Sequence, residues 1–334
     1  MNYTIYELRL KPVSWWITDL TADTIFGHLC WQIKYEFWDE VLEDFLKSME
    51  KEPIFTLSDV LPIEVFPRLL TNLDSYIPDE AKEDSKGLKE EKKRIKHYSK
   101  IDYINKTVLE SISKSSGISK NNIKRIRDFV LWKKIKTIKK WEYSEWYRKH
   151  HYFKLGLENK NVINRLYWTT WDNWIYSQGF LESWRELSLY IKVFDEGKLK
   201  EYKIKDLLKN MFLETWYWKK KSTWKWVFEI VEDWNESDLN NFSGNNILLL
   251  SSFVPSEKDP TNGCYKLFTK FPKLGEEFSI EWHNFYKKPL LMIQAWATFK
   301  KNENYKWYVW RMIKNVDFQG RWVYHYAYWF TLEF

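Results

Sequence analysis

Glycine is the residue this chain most lacks: there are 10 in 334 positions, where average usage near 7% predicts roughly 23. Cysteine is nearly absent. Cys30 and Cys264 stand alone with no CxxC spacing, which excludes a metal site built from paired thiolates and reads as two reduced, intracellular thiols. No run of about 18 apolar residues exists to span a bilayer, and no signal peptide opens the chain, so a soluble, cytoplasmic protein is expected. No period of about 20 to 50 residues repeats, which excludes a solenoid or propeller.

Tryptophan fills the opposite extreme, with 22 residues. The run WYWKKKSTWKW over 216–226 is the most informative stretch. With glycine written for each tryptophan it becomes GYGKKKSTGKG, a loop whose backbone amides approach a phosphate chain closely, because glycine has no side chain in the way and tolerates positive φ. Trp38-Asp39, Trp141-Glu142, Trp171 to Trp174 and Trp234-Asn235 sit in polar surroundings where a glycine turn is expected. Trp31, on the apolar face of a helix, reads as genuine. Two accounts stand side by side. The source reads the UGA codon as glycine and the sequence has been translated with tryptophan there, or the indoles are real and serve as stacking platforms or core.

The length suits one large domain or two ordinary ones. A net charge of +7 favours a polyanionic partner, RNA or an acidic surface. The basic residues concentrate between Ser85 and Lys154, in Lys92-Lys93-Arg94, Lys124-Arg125, and Lys133 to Lys140. This is either a solvated helix face or a nucleic-acid contact. Residues 3–10 alternate with the period of a strand. Thr21 is expected to cap a helix carrying Ile25, Leu29, Trp31, Ile33 and Phe37, broken at Trp38-Asp39 and followed by a second helix over 40–49. A strand over 54–62 follows. Residues 71–149 read as a basic, helical insertion. Further strands are expected at 152–157, 187–194, 227–231, 247–253, 290–295, 308–313 and 323–334, and a helix at 204–213. Strands and helices mixed without strict alternation predict an α+β fold.

Three segments together carry a resemblance: TADTIFGHLCW over 21–31, NRLYWTTWDNWIY over 164–176, and the lysine loop. With glycine at Trp168, Trp171 and Trp174, the second reads NRLYGTTGDNGIY. The chain resembles the RAMP superfamily of CRISPR proteins, and within it the fourth-subunit family of the type III-A Csm effector complex. The likeness extends to PIFTLSDVLP over 53–62, KKPLLMIQAW over 287–296 and YHYAYWF over 324–330, where that family tends to have glycine at the Trp296 and Trp329 positions. It covers nearly the whole chain except about 71–149. Literal tryptophan at 216, 218, 224 and 226 departs from the family loop and obstructs its close backbone approach.

The resemblance implies two ferredoxin-like, RRM-like domains: 1–70 with about 150–200, and 201–334, the insertion 71–149 lying between. It implies a non-catalytic subunit that grips the repeat-derived 5′ handle of the CRISPR RNA (crRNA) and nucleates assembly for antiviral defence. Its neighbours would be the large polymerase-like subunit and the first backbone subunit, with no cofactor, metal or membrane involved. Residue chemistry agrees. Lys219, Lys220, Lys221 and Lys225 neutralise phosphates, and Ser222 and Thr223 donate to phosphate or ribose oxygens, within a loop bounded by Trp216, Trp218, Trp224 and Trp226. Arg165 with Thr169 and Thr170 forms a second phosphate- or ribose-binding candidate, the alternative being a threonine-stapled turn.

His28 supports a rival reading, since some RAMP relatives cleave RNA with a histidine. The chain would then be a metal-independent endoribonuclease processing repeat RNA, although its place on an apolar helix favours a structural role. Asp23 is expected to cap the helix or order its loop. His150 and His151 beside Arg148-Lys149 read as an RNA-contacting patch or as exposed turn residues, and Lys287, Lys288 and Arg311 as weaker RNA candidates, the alternative being solvated flanks of strands. A third reading is an aromatic-rich carbohydrate or peptide binder with authentic indoles.

Overall fold

The computed structural model describes residues 3–17, 19–67, 69–70, 85–98, 103–106, 109–110, 154–164, 169–183, 185–213, 227–256, 259, 262–275, 286–301 and 312–334. Along the chain run β1 (Thr4–Pro12), α1 (Ala22–Lys51), β2 (Phe55–Leu57), β3 (Leu61–Pro62) and β4 (Val65–Pro67). Then follow α2 (Ser85–Tyr98), β5 (Tyr103–Asn105), β6 (Lys154–Asn164), β7 (Thr169–Glu182), β8 (Leu187–Val193), α3 (Glu196–Glu201), α4 (Ile204–Leu213) and β9 (Phe228–Glu236). The remainder is β10 (Asn246–Leu249), β11 (Gly263–Cys264), β12 (Leu267–Lys270), β13 (Leu290–Ile293), β14 (Thr298–Lys300), β15 (Met312–Ile313), β16 (His325–Tyr326) and β17 (Thr331–Glu333). The chain is α+β, as expected. Its largest sheet has the order β2-β8-β1-β9, with β3 also on β8. A second sheet has the order β11-β14-β10-β17.

Strand β1 explains how two cores share one sheet. Leu8 and Leu10 point to the core that α1 and α4 cover. Ile5, on the opposite face, enters a second core with Leu248, Phe330 and Leu332. Residues 5 and 8, three apart, fall on opposite faces of the sheet because side chains alternate with a period of two, and so they enter different cores. Every residue of β8 is buried, as a strand covered on both faces must be. Strand β9 and helix α4 join this first sheet and its helix layer, so the sheet draws on residues to both sides of position 201.

Helix α1 carries Ile25, Phe26, Leu29, Ile33, Phe45, Leu46 and Met49 inward. The expected break at Trp38 is present: its backbone has φ 74° and ψ 174° inside an otherwise helical segment. The kink lets two helical faces, before and after residue 38, reach one core. Thr21 stands at the N-cap position but makes no side-chain cap bond. Asp59 does that work from the loop between β2 and β3, accepting from Ala22 N–H at 2.8 Å. An N-terminal amide satisfied from 37 residues away is invisible to local sequence rules.

Two expected tryptophan-bearing turns are strands instead. Trp171 to Trp174 lie within strand β7 rather than in turns. Trp234 lies within β9, packs against the α1 core and donates its indole N–H to Lys205 O at 3.0 Å. Trp329, at a position where the resembled family tends to have glycine, is buried among Phe253, Phe299 and Ile293.

Candidate nucleic-acid interface

The sequence candidates fall into three groups. Trp216, Trp218, Lys219, Lys220, Lys221, Ser222, Thr223, Trp224, Lys225 and Trp226 lie outside the described residues, as do Arg165, Arg311, His150 and His151. Thr169 and Thr170 begin β7, paired with Asn164 and Ile163 of β6. His28, Asp23, Lys287 and Lys288 are described in full.

The described chain does fix the root of the lysine segment. Val227 O accepts from Val13 N–H at 2.8 Å, and Val227 N–H donates to Ser14 Oγ at 3.0 Å. Two residues on, Trp16 exchanges two backbone bonds with Leu181 of β7, at 2.8 and 2.6 Å. Residues 13–16 therefore hold the end of β7 on one side and the root of the 214–226 segment on the other. Thr169 and Thr170 sit at the far end of the same strand. At about 3.3 Å per residue, roughly 36 Å of strand separates Thr170 from Leu181.

His28 is partly buried on α1, and burial pushes its pKa down to about 4. A histidine so far below neutrality is a poor proton exchanger at pH 7. Lys287 is half-buried: its Nζ donates to Tyr324 O at 3.0 Å, and burial lowers its pKa. Lys288 is exposed and donates to Asn315 O at 2.9 Å.

Sequence reasoning missed the charge cluster at the head of α1. Lys270 Nζ lies 2.8 Å from Asp23 Oδ1 and 2.7 Å from Oδ2. His325 Nε2 is 3.9 Å from Oδ2, and Thr21 Oγ1 donates to Oδ1 at 2.7 Å. Burial by itself would raise the Asp23 pKa; the attraction of Lys270 and then His325, with hydrogen bonds from Lys270 and Thr21, holds it below the usual range. Burial drives His325 down to about 3 and lifts Asp59 to about 7. Asp23 thus orders the N-terminal turn, as expected, but its partners come from β12 and β16. The cluster joins the two ends of the chain.

Elsewhere, a shallow cavity of about 380 Å³ is lined by Phe37, Glu40, Val41, Asp44, Glu201 and Tyr202. Its carboxylates repel phosphate. Among the described residues no group of three or more His, Cys, Asp or Glu is placed to hold a metal, and no helix is long and apolar enough to cross a membrane.

No family model matches the sequence, and no curated protein matches it. The fold does have relatives among solved structures. It is shared with chains of Csm1-Csm4 and Csm3-Csm4 complexes. A Csm3-Csm4 subcomplex of the type III-A CRISPR-Cas interference complex contains a chain matching at TM-score 0.58 and 14% identity, over 98% of this chain and 99% of that one. A Csm1-Csm4 cassette in complex with AMPPNP matches at TM-score 0.56 and 14% identity, over 99% and 98%. The same cassette with cA4 matches at TM-score 0.57 and 12% identity, over 99% and 97%.

Proposed function

We propose that this chain is a non-catalytic, RNA-binding subunit of a type III-A CRISPR effector complex, built on two ferredoxin-like domains and gripping the repeat-derived 5′ handle of the crRNA. The single observation that carries the reading is the end-to-end match to Csm4 chains, which spans nearly all of both partners. A fold alone does not define a function. The lysine segment supplies the chemistry: four lysines and two hydroxyls within 216–226 suit phosphate and ribose oxygens. The low pKa of His28 supports a positioning rather than a cleaving subunit. In such a complex the protein partners are the large polymerase-like subunit and the first backbone subunit, and the compartment is the cytoplasm.

The test is fluorescence anisotropy of the purified chain with labelled 5′-handle RNA, against a scrambled RNA and the same sequence as DNA. Preferential, salt-sensitive binding to the handle is expected. Equal binding to all three strands would remove handle recognition from the proposal. Binding that survives high salt would favour the aromatic-rich binder instead.

A further inference from the structure

Five described residues other than glycine have positive φ, and two of them are tryptophans. Glu64, Lys203 and Asn315, at 56°, 50° and 55°, lie in the left-handed well that ordinary residues visit singly. Trp38 and Trp296, at 74° and 86°, lie beyond it. Gly320, at 75°, has the same φ as Trp38. With ψ 174°, Trp38 occupies a region that is essentially glycine-only. A bulky residue at positive φ is a genuine outlier.

At Trp38 packing does little to offset the strain. The Trp38 side chain is 80% exposed, so its indole gains little from packing. Its backbone has nowhere to relax, because buried residues hold both halves of α1 in one core. Trp296 is pinned likewise: its N–H donates to Leu249 O at 2.8 Å and its carbonyl accepts from Leu70 N–H at 3.3 Å. Trp31 is the internal contrast. It sits on regular helix, stacks on Tyr35 with ring centroids 5.9 Å apart and lies under Lys34 Nζ at 5.2 Å. Its Nε1 would stand 2.9 Å from a Cβ added at Gly275, so the neighbouring backbone is shaped around the indole.

We infer that positions 38 and 296 are glycine in the protein as its own cell makes it, and that codons 38 and 296 are UGA read as glycine, whereas codon 31 is UGG. The decoding is therefore specific to position and leaves true tryptophans where packing requires them. This inference stands apart from the RNA-binding reading, since its readouts contain no RNA.

Two measurements decide it. Peptide mass spectrometry of the protein from its native source, with the gene sequence beside it, is expected to give glycine at 38 and 296 and tryptophan at 31. Tryptophan at 38 and 296, or UGG at both codons, overturns the assignment. In the protein made with all its tryptophans, Trp38→Gly and Trp296→Gly are each expected to raise the melting temperature, on the order of 2–4 °C, while Trp31→Gly lowers it. A fall for both Trp38→Gly and Trp296→Gly overturns the strain argument.

Discussion

Lys270 Nζ stands 2.7 Å from Asp23 Oδ2, with the carboxylate 7% and the lysine 25% exposed. The bond ties strand β12 to the first turn of α1 across 247 residues of chain. Losing one member of a buried pair leaves the other charge uncompensated, at a cost of about 3–5 kcal/mol. Lys270→Met should therefore destabilise the chain strongly in urea unfolding. Asp23→Asn combined with Lys270→Met should recover part of that loss. If the two single effects simply add, the pair is not coupled as described.

The Asp59 carboxyl is the group most clearly placed to make stability depend on pH. Burial, opposed by the Ala22 N–H and reinforced by Asp23, lifts its pKa from 3.8 to about 7. Between those values the folded chain keeps a proton that the unfolded chain has released. Its contribution to stability is therefore present below pH 3.8 and is lost as pH rises through 7, by an amount on the order of a few kcal/mol. Asp59→Asn retains an oxygen for the Ala22 N–H and removes the slope. Melting curves from pH 4 to 8 should show the variant gaining on the parent as pH rises. His325, with its pKa lowered to about 3, acts with the opposite sign, reducing stability as pH falls below about 6.5. A parallel pair of curves for parent and Asp59→Asn would count against the burial of an ionisable Asp59.

Tyr326 Oη accepts from Leu57 N–H at 2.8 Å, while its ring stacks on Phe26 with centroids 4.6 Å apart. Tyr326→Phe keeps the ring and strands the amide. The expected loss is about 1–3 kcal/mol of unfolding free energy, with RNA affinity unchanged. A neutral substitution would mean that the amide finds another acceptor.

For the lysine segment, replacing Lys219, Lys220, Lys221 and Lys225 with alanine should weaken handle binding. Each single-stranded phosphate contact contributes about 0.7 to the slope of log affinity against log salt, so loss of four should reduce that slope by roughly 2.8. An unchanged slope would place the phosphate grip elsewhere. His28→Ala in the same assay should leave binding mostly intact. Metal-free cleavage of repeat RNA by the parent, abolished in His28→Ala, would replace the proposed reading with the endoribonuclease.

Much of the architecture was legible locally. The alternation before Leu10, the break at Trp38 and the helix over 204–213 are all properties of short windows, and β1, the α1 kink and α4 match them. The long β6–β7 hairpin was not. Its polar, tryptophan-bearing stretch reads as turns, whereas backbone pairing across the two strands, from Lys154 with Glu182 to Asn164 with Thr169, makes it a ladder. The candidate site was legible only as composition. Lysines, hydroxyls and an arginine announce an anion partner, but the 13–16 stretch that roots the lysine segment beside β7 is set by pairing over some two hundred residues.

The α+β class, the basic character, the shortage of glycine and the segment with phosphate-binding chemistry all follow from residue type and short-range period. Which charges are buried is settled by the packing of distant segments, which sets Asp23 against Lys270 and His325, and Asp59 under the head of α1. It also separated the tryptophans. Trp31 and Trp329 fill space in packed surroundings, while Trp38 and Trp296 bend backbone that an indole residue resists. One-letter identity is the same in all four. What differs is φ and packing, and these come from contacts between segments far apart in the chain.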